Sequence, residues 1–178
     1  MWMAIVVLLL AIWAVATYNR LLTYRQRVQN ARAQVDVQLK RRYDLIPQLV
    51  ETVRGYAQHE QRLFERVSEL RARALTALSP TQQEAIEGQV RQSVGHLLAL
   101  AEAYPDLKAN TNVLSLQAEL SDTEDKIRYA RQFYNDTVMR YNLAVQRFPA
   151  LLLAPLFRFQ PEPLFTLDNA PQEREVPQ

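Results

Sequence analysis

The sequence predicts an all-α protein, with an N-terminal transmembrane helix followed by four further helices. Three observations lead there. An uncharged apolar run opens the chain, apolar residues then recur at helical rather than alternating spacing as far as about Phe148, and glycine is scarce, 3 in 178 residues. So few glycines point away from turn-rich β architectures and from loops that cradle phosphates. Hydrophobic residues make up 48% and charged ones 22%, a composition that can pack a core rather than stay disordered. The net charge of +2 makes no case for nucleic acid by itself. The absence of cysteine removes disulfides, cysteine-based metal sites and cysteine nucleophiles.

The opening run, "MWMAIVVLLLAIWAVATY", extends from Met1 to Tyr18, with Thr17 its single residue outside the hydrophobic class. As a helix it spans ~27 Å, close to the ~30 Å hydrocarbon core of a bilayer, and it can extend to residue 22. Trp2 and Tyr18 are of the type that favours the membrane–water interface, whereas Trp13 lies too deep for that belt. Ala14-Val15-Ala16 would also fit a signal-peptide cleavage site, but no Lys or Arg precedes Arg20, so the basic region of a signal peptide is missing and a retained span is expected. Arg20, Arg25, Arg27, Arg32, Lys40, Arg41 and Arg42 all follow the run. The positive-inside rule then puts the N-terminus outside and the larger domain in the cytoplasm, at a bacterial inner membrane; a periplasmic domain is the alternative orientation.

The first helical pattern after the span, Asn19 to about Arg42, carries Leu21, Val28 and Val35 at seven-residue, coiled-coil-like spacing, with Tyr24, Ala31 and Leu39 beside them. The second, about Ile46 to Leu78, places Leu49, Val53, Tyr56, Leu63, Val67, Leu70 and Ala74 on one face. "SPTQ" follows: Ser79 can cap, Pro80 suits the first helical position and Gln82 completes a capping-box pattern. The third helix buries Ile86, Val90, Val94, Leu97 and Ala101, and stops near Tyr104-Pro105 because the residue before a proline is pushed away from helix. Asp106 is the expected cap of the fourth, whose stripe reads Val113, Leu116, Leu120, Ile127, Tyr134, Val138, Tyr141 and Val145. The expected divisions are therefore a span at 1–18, a helical domain at 19–148, an apolar proline-rich segment at 149–170 packing on the bundle or the membrane, and a disordered tail at 171–178.

Pro47 sits inside a helical pattern. Leu21, Val28, Val35, Leu49, Tyr56 and Leu63 keep one heptad phase across it, interrupted by Arg42, which favours one kinked helix. Pro47 also removes the bond to the Tyr43 carbonyl, and Asp44 could cap a new helix instead. On either reading Tyr43, Asp44 and Pro47 mark a helix joint.

Two long blocks, "VDVQLKRRYDLIPQLVETVRGYAQHE" and "YPDLKANTNVLSLQAELSDTEDKIRYARQFYNDTVMRYN", resemble the LemA family of bacterial membrane-anchored proteins, over roughly Tyr18 to Pro149. The resemblance implies a membrane anchor followed by an up-and-down four-helix bundle, and no established enzymatic activity. The family includes a magnetosome-membrane protein, and its genes often neighbour those of membrane proteases, which implies membrane organisation or membrane-protein quality control. Arg32 stands where relatives usually have an aromatic after "NA", and "ALLLAPLFRF" replaces their Asn- and Gly-containing segment after Pro149.

Chemistry-bearing residues are few. His59-Glu60 lacks the second histidine of a zinc-protease helix, since position 63 is Leu63, and His96 falls on another helix, so no metal is expected. Ser68, Ser79, Ser93, Ser115 and Ser121 have no glycine-rich elbow nearby. No catalytic residue and no cofactor are expected. Glu124 and Arg131 lie on the inward stripe seven residues apart, as a structural polar core that Arg25 or Arg32 could meet. Arg20, Arg25 and Arg27 are the membrane-proximal basic residues best placed for lipid headgroups; Lys40, ~30 Å further along a continuous helix, is not. Asn110, Asn112, Asn135 and Asn142 cost helix propensity, to be offset by interhelical hydrogen bonds or by a self-association surface.

The expected function is a non-enzymatic, self-associating membrane scaffold or adaptor. Its expected partners are the lipid bilayer, further copies of itself and a neighbouring membrane protein or membrane protease, and not nucleic acid. A small-molecule sensor using Glu124 and Arg131 is the alternative.

Overall fold

The computed structural model describes residues 1–77 and 79–165. Its elements are α1 (Trp2–Arg54), α2 (Gln61–Leu75), α3 (Pro80–Ala103), α4 (Pro105–Lys108), α5 (Thr111–Gln146) and α6 (Ala150–Leu153), with no strand among the described residues. The expected disordered tail, 171–178, and the last part of the apolar segment, 166–170, lie outside the described residues. The chain divides into two compact units: Met1–Gln34 with Arg131–Leu164, and Val35–Ala130 with Phe165.

In the first unit, α1 contributes Leu21, Val28 and Ala31 to the core, and α5 contributes Tyr134, Val138, Tyr141 and Val145. The segment after α5 is tied to it. Asn142 Nδ2 donates to the Glu162 carbonyl and the Glu162 N–H donates back to Asn142 Oδ1, both at 2.9 Å, while the Tyr134 hydroxyl donates to the Pro163 carbonyl at 3.0 Å. Phe157 and Phe159 meet the Tyr18 ring edge-on, at 4.9 and 5.8 Å between centroids. By contrast, among the described residues nothing covers the apolar start of α1: every residue from Ile5 to Leu10 is 52% to 62% exposed. Leaving a Val, Leu or Ile in water forgoes ~1.5–3 kcal/mol each, so this run demands an apolar solvent such as a bilayer.

In the second unit the core is built from Val35, Leu39, Ile46, Leu49 and Val53 of α1, Phe64, Val67 and Leu70 of α2, Val90, Val94 and Leu97 of α3, Leu107 of α4, and Val113, Leu116, Leu120 and Ile127 of α5. Ser79 caps α3 as its sequence pattern predicts, its Oγ accepting from the Gln82 N–H at 3.2 Å with Pro80 at the first position. The fourth helix does not start at Asp106. Pro105–Lys108 forms a separate turn of helix, and Asn110 Oδ1 accepts from the Asn112 N–H at 2.9 Å, starting α5 there.

Of the two readings at Tyr43, Asp44 and Pro47, the single helix is the one observed, and no new helix starts at Asp44. α1 runs unbroken through Pro47 to Arg54. The missing donor is replaced from another helix: Arg71 Nε donates at 2.7 Å to the Tyr43 carbonyl, the acceptor that proline strands. The break falls instead at Gly55–Glu60, where the chain turns and buries Ala57. The turn resets the phase, so Tyr56 is 47% exposed, and Phe64 rather than Leu63 fills the core of α2.

Candidate functional site

Arg42 holds an inward heptad position between Val35 and Leu49, and it is buried. Its guanidinium donates to Glu87 Oε2 at 3.1 Å and pairs with Glu124 Oε2 at 3.0 Å. The hydroxyl of Tyr43 donates to the other oxygen of Glu87. Arg91 pairs with Glu124 Oε1 at 3.4 Å, and Gln83 Nε2 donates to Asp36 Oδ1 at 3.4 Å. Glu87 is 1% exposed, so its charge is tolerable only because Arg42 and Tyr43 meet both oxygens. Two arginines and two glutamates compensate one another here. Such a cluster can fix the register of α1, α3 and α5 within this unit, with every carboxylate oxygen already engaged.

A second polar locus surrounds Pro47. A groove of about 430 Å³ is lined by Pro47, Glu51, Arg54, Ser68 and Arg71, among others. Arg71 also approaches Asp44 Oδ1 at 3.8 Å.

A third lies in the first unit. A cleft of about 580 Å³ runs from Trp13, Ala16 and Thr17 of the apolar run to Arg20 and Tyr24, and is closed opposite by Arg140, Leu143, Arg147 and Phe148. Arg20 and Arg27 stand 5.8 and 5.7 Å from the centre of the Tyr24 ring. Hydrogen bonding to Arg20 and the charge of Arg20 hold the Tyr24 phenol below its usual range, with Arg27 and Arg140 adding to the effect. Among the described residues, no carboxylate ion-pairs with Arg20, Arg27, Arg140 or Arg147.

A profile of the LemA family matches residues 31–178. The chain belongs to the LemA family. It is similar to the magnetosome protein MamQ of Magnetospirillum gryphiswaldense, 24% identical over 80% of this chain and 62% of that protein. It also resembles protein LemA of Metamycoplasma hominis, 25% identical over 73% of this chain and 60% of that protein, and magnetosome protein MamQ 2 of Paramagnetospirillum magneticum, 22% identical over 80% and 62%. The chain spans about three-fifths of the length of these curated relatives.

In this LemA-family chain Glu124 and Arg131 both lie on α5, seven residues apart. Glu124 and Arg131 fall in different units, and the partners of Glu124 are Arg42 and Arg91, where the spacing points to Arg25 or Arg32. The reason is register: Arg25 and Arg32 belong to the stretch of α1 that packs in one unit with residues 131–164. Arg131 is itself buried. Neither cleft is lined by Glu124 or Arg131. Of the membrane-proximal arginines, Arg20 and Arg27 flank Tyr24, while Arg25 faces Tyr141, whose phenol burial pushes up and Arg25 partly restores. His59 and His96 are exposed, on the 55–60 turn and on α3. Three of the four asparagines have structural surroundings: Asn110 caps α5, Asn135 is buried, and Asn142 brackets Glu162.

Arg42, Glu87, Arg140 and Arg147 are the residues that sequence reasoning missed. Glu87 had a signal, because Gln83, Glu87, Val90 and Val94 share one helical face, whereas Ile86 is only half-buried. Arg42 had one too, as the in-phase member of its heptad series.

Proposed function

We propose that this protein is a non-enzymatic, single-pass membrane scaffold that associates with further copies of itself, with its long helices arranged as an up-and-down bundle. One observation carries the reading: the outer face of α5 leaves Phe133 and Met139 53% and 52% exposed, while the charged groups of the interior are engaged with one another. A patch of large apolar side chains interleaved with arginine is the composition of an association surface. Anchoring supports it further, because confinement to a membrane raises the local concentration of identical copies. The magnetosome name of the MamQ relatives is in keeping with membrane organisation. A neighbouring membrane protein, or a membrane protease in a quality-control setting, is the heterologous partner such a surface would take. The expected location is a bacterial inner membrane.

The test is the mass of the full-length protein in mild detergent, by light scattering, beside the double variant Phe133→Ser/Met139→Ser. A defined oligomer that the variant reduces to monomer is expected. A wild-type protein monomeric at every concentration would remove self-association from the reading.

A further inference from the structure

We propose that the cleft between the end of the apolar run and the C-terminal part of α5 is a binding site for an anionic phospholipid, whose headgroup phosphate is held by Arg20, Arg140 and Arg147. The proposal rests on the reading of Trp2 to Tyr18 as a membrane span.

The geometry is that of a lipid lying across a boundary. The wall of the cleft starts at Trp13 and reaches Arg20, seven residues or ~10 Å further along α1, which is the scale over which a bilayer passes from hydrocarbon to headgroup. Across from it, Arg140 of α5 and Arg147, the residue that follows the end of α5, both line the cleft, with Leu143 between them in the chain. Arginine is the side chain best suited to phosphate, because its planar fork offers two parallel donors. Among the described residues no carboxylate competes for these three guanidinium groups. Arg20, Arg27 and Arg140 all favour the ionised Tyr24 phenol, so Arg20 and Arg140 both lie near that ring.

The apolar wall distinguishes a lipid from a soluble phosphate. Trp13, Ala16 and Leu143 would offer a free anion nothing, but they provide a surface on which an acyl chain can lie. The segment after α5 strengthens this choice. Phe148, Leu152 and Leu156 are 77%, 65% and 75% exposed, and the same segment is held at the end of the span by the contacts of Phe157 and Phe159 with Tyr18. An exposed apolar strip tied to the last turn of a membrane helix, beside three arginines, fits a layer of anionic headgroups. The volume, about 580 Å³, is within the range of ordinary small-ligand sites.

The experiment uses the full-length protein reconstituted into vesicles of phosphatidylcholine, alone or mixed with phosphatidylglycerol, then extracted for native mass spectrometry of retained lipid. The wild type should float with both kinds of vesicle and retain phosphatidylglycerol in preference to phosphatidylcholine. Arg20→Gln, Arg140→Gln and Arg147→Gln should each weaken that retention roughly fivefold, the size of one arginine–headgroup contact. The triple variant Lys40→Gln/Arg41→Gln/Arg62→Gln, which removes three positive charges outside the cleft, should leave it unchanged. Equal retention of the two lipids, or equal losses in the cleft and control variants, would overturn the site while leaving the anchor intact. Retention abolished by excess inorganic phosphate would mean a soluble phosphate is the ligand, and would also overturn it. A wild type that floats with neither vesicle would overturn the anchor, and this site with it.

Discussion

Removing Arg42 takes a cationic partner from two carboxylates of unequal exposure, and that inequality sets the expected costs. Glu87 is 1% exposed and would lose the Arg42 guanidinium from a fully buried site, whereas Glu124 has a side chain 30% exposed and would keep Arg91. Breaking a buried pair from one side costs ~3–5 kcal/mol, while a partly solvated pair costs ~1 kcal/mol or less. Arg42→Ala should therefore lower the denaturation midpoint, followed by circular dichroism, several times as far as Glu124→Ala. Arg42→Met/Glu87→Met should recover most of the loss, because two packed apolar residues strand no charge. Equal effects of the two single changes would mean that Glu87 is not held as described. At this scale the sequence was half legible. Arg42 keeps the heptad phase of Val35 and Leu49 and so could be placed inward. Its partners could not be named, because heptad spacing gives a residue's face and not its height against a neighbouring helix.

An element ends where its backbone groups cannot be satisfied, and α1 shows how a proline can fail to end one. Pro47 leaves the Tyr43 carbonyl without its helical donor, and Arg71 of α2 supplies one at 2.7 Å. The two residues should therefore be coupled. In the natural background, Arg71→Ala should cost ~1–3 kcal/mol, the penalty of a stranded buried acceptor. In a Pro47→Ala background the new N–H can bond to the Tyr43 carbonyl, and the same change should cost only a small part of that. Urea denaturation of the four proteins closes the cycle, and additive effects would disprove the coupling. Local sequence signals were reliable where the chain satisfies itself, as with Ser79 capping α3 and Tyr104-Pro105 ending it. They left two readings open where a distant side chain intervenes, as with Arg71 at Pro47. They were passed over at Gly55, where a residue of poor helix propensity precedes the turn that resets the phase of Tyr56, Leu63 and Phe64.

For the molecule as a whole, α1 is the governing feature, because one 53-residue helix of about 80 Å carries both the apolar run and the start of the helical body. The side of the membrane on which Met1 lies therefore decides the side on which the body lies. The sequence shows the basic flank directly, since Arg20, Arg25, Arg27 and Arg32 follow the run. What it does not show is that Arg140 and Arg147 join Arg20 at the end of the run, since that follows from how α5 packs back along α1. These two residues enlarge the positive side of an anchor whose orientation is set by arginine and lysine close to the span. The prediction is an N-terminus outside and a body in the cytoplasm, where anionic headgroups would meet the arginine cleft. Because the chain lacks cysteine, single substitutions report without background. Trp2→Cys should react with a membrane-impermeant maleimide on intact bacterial spheroplasts, and Gln58→Cys, on the exposed 55–60 turn, only after permeabilisation. The reverse pattern would place the body in the periplasm and move the arginine cleft to the opposite leaflet.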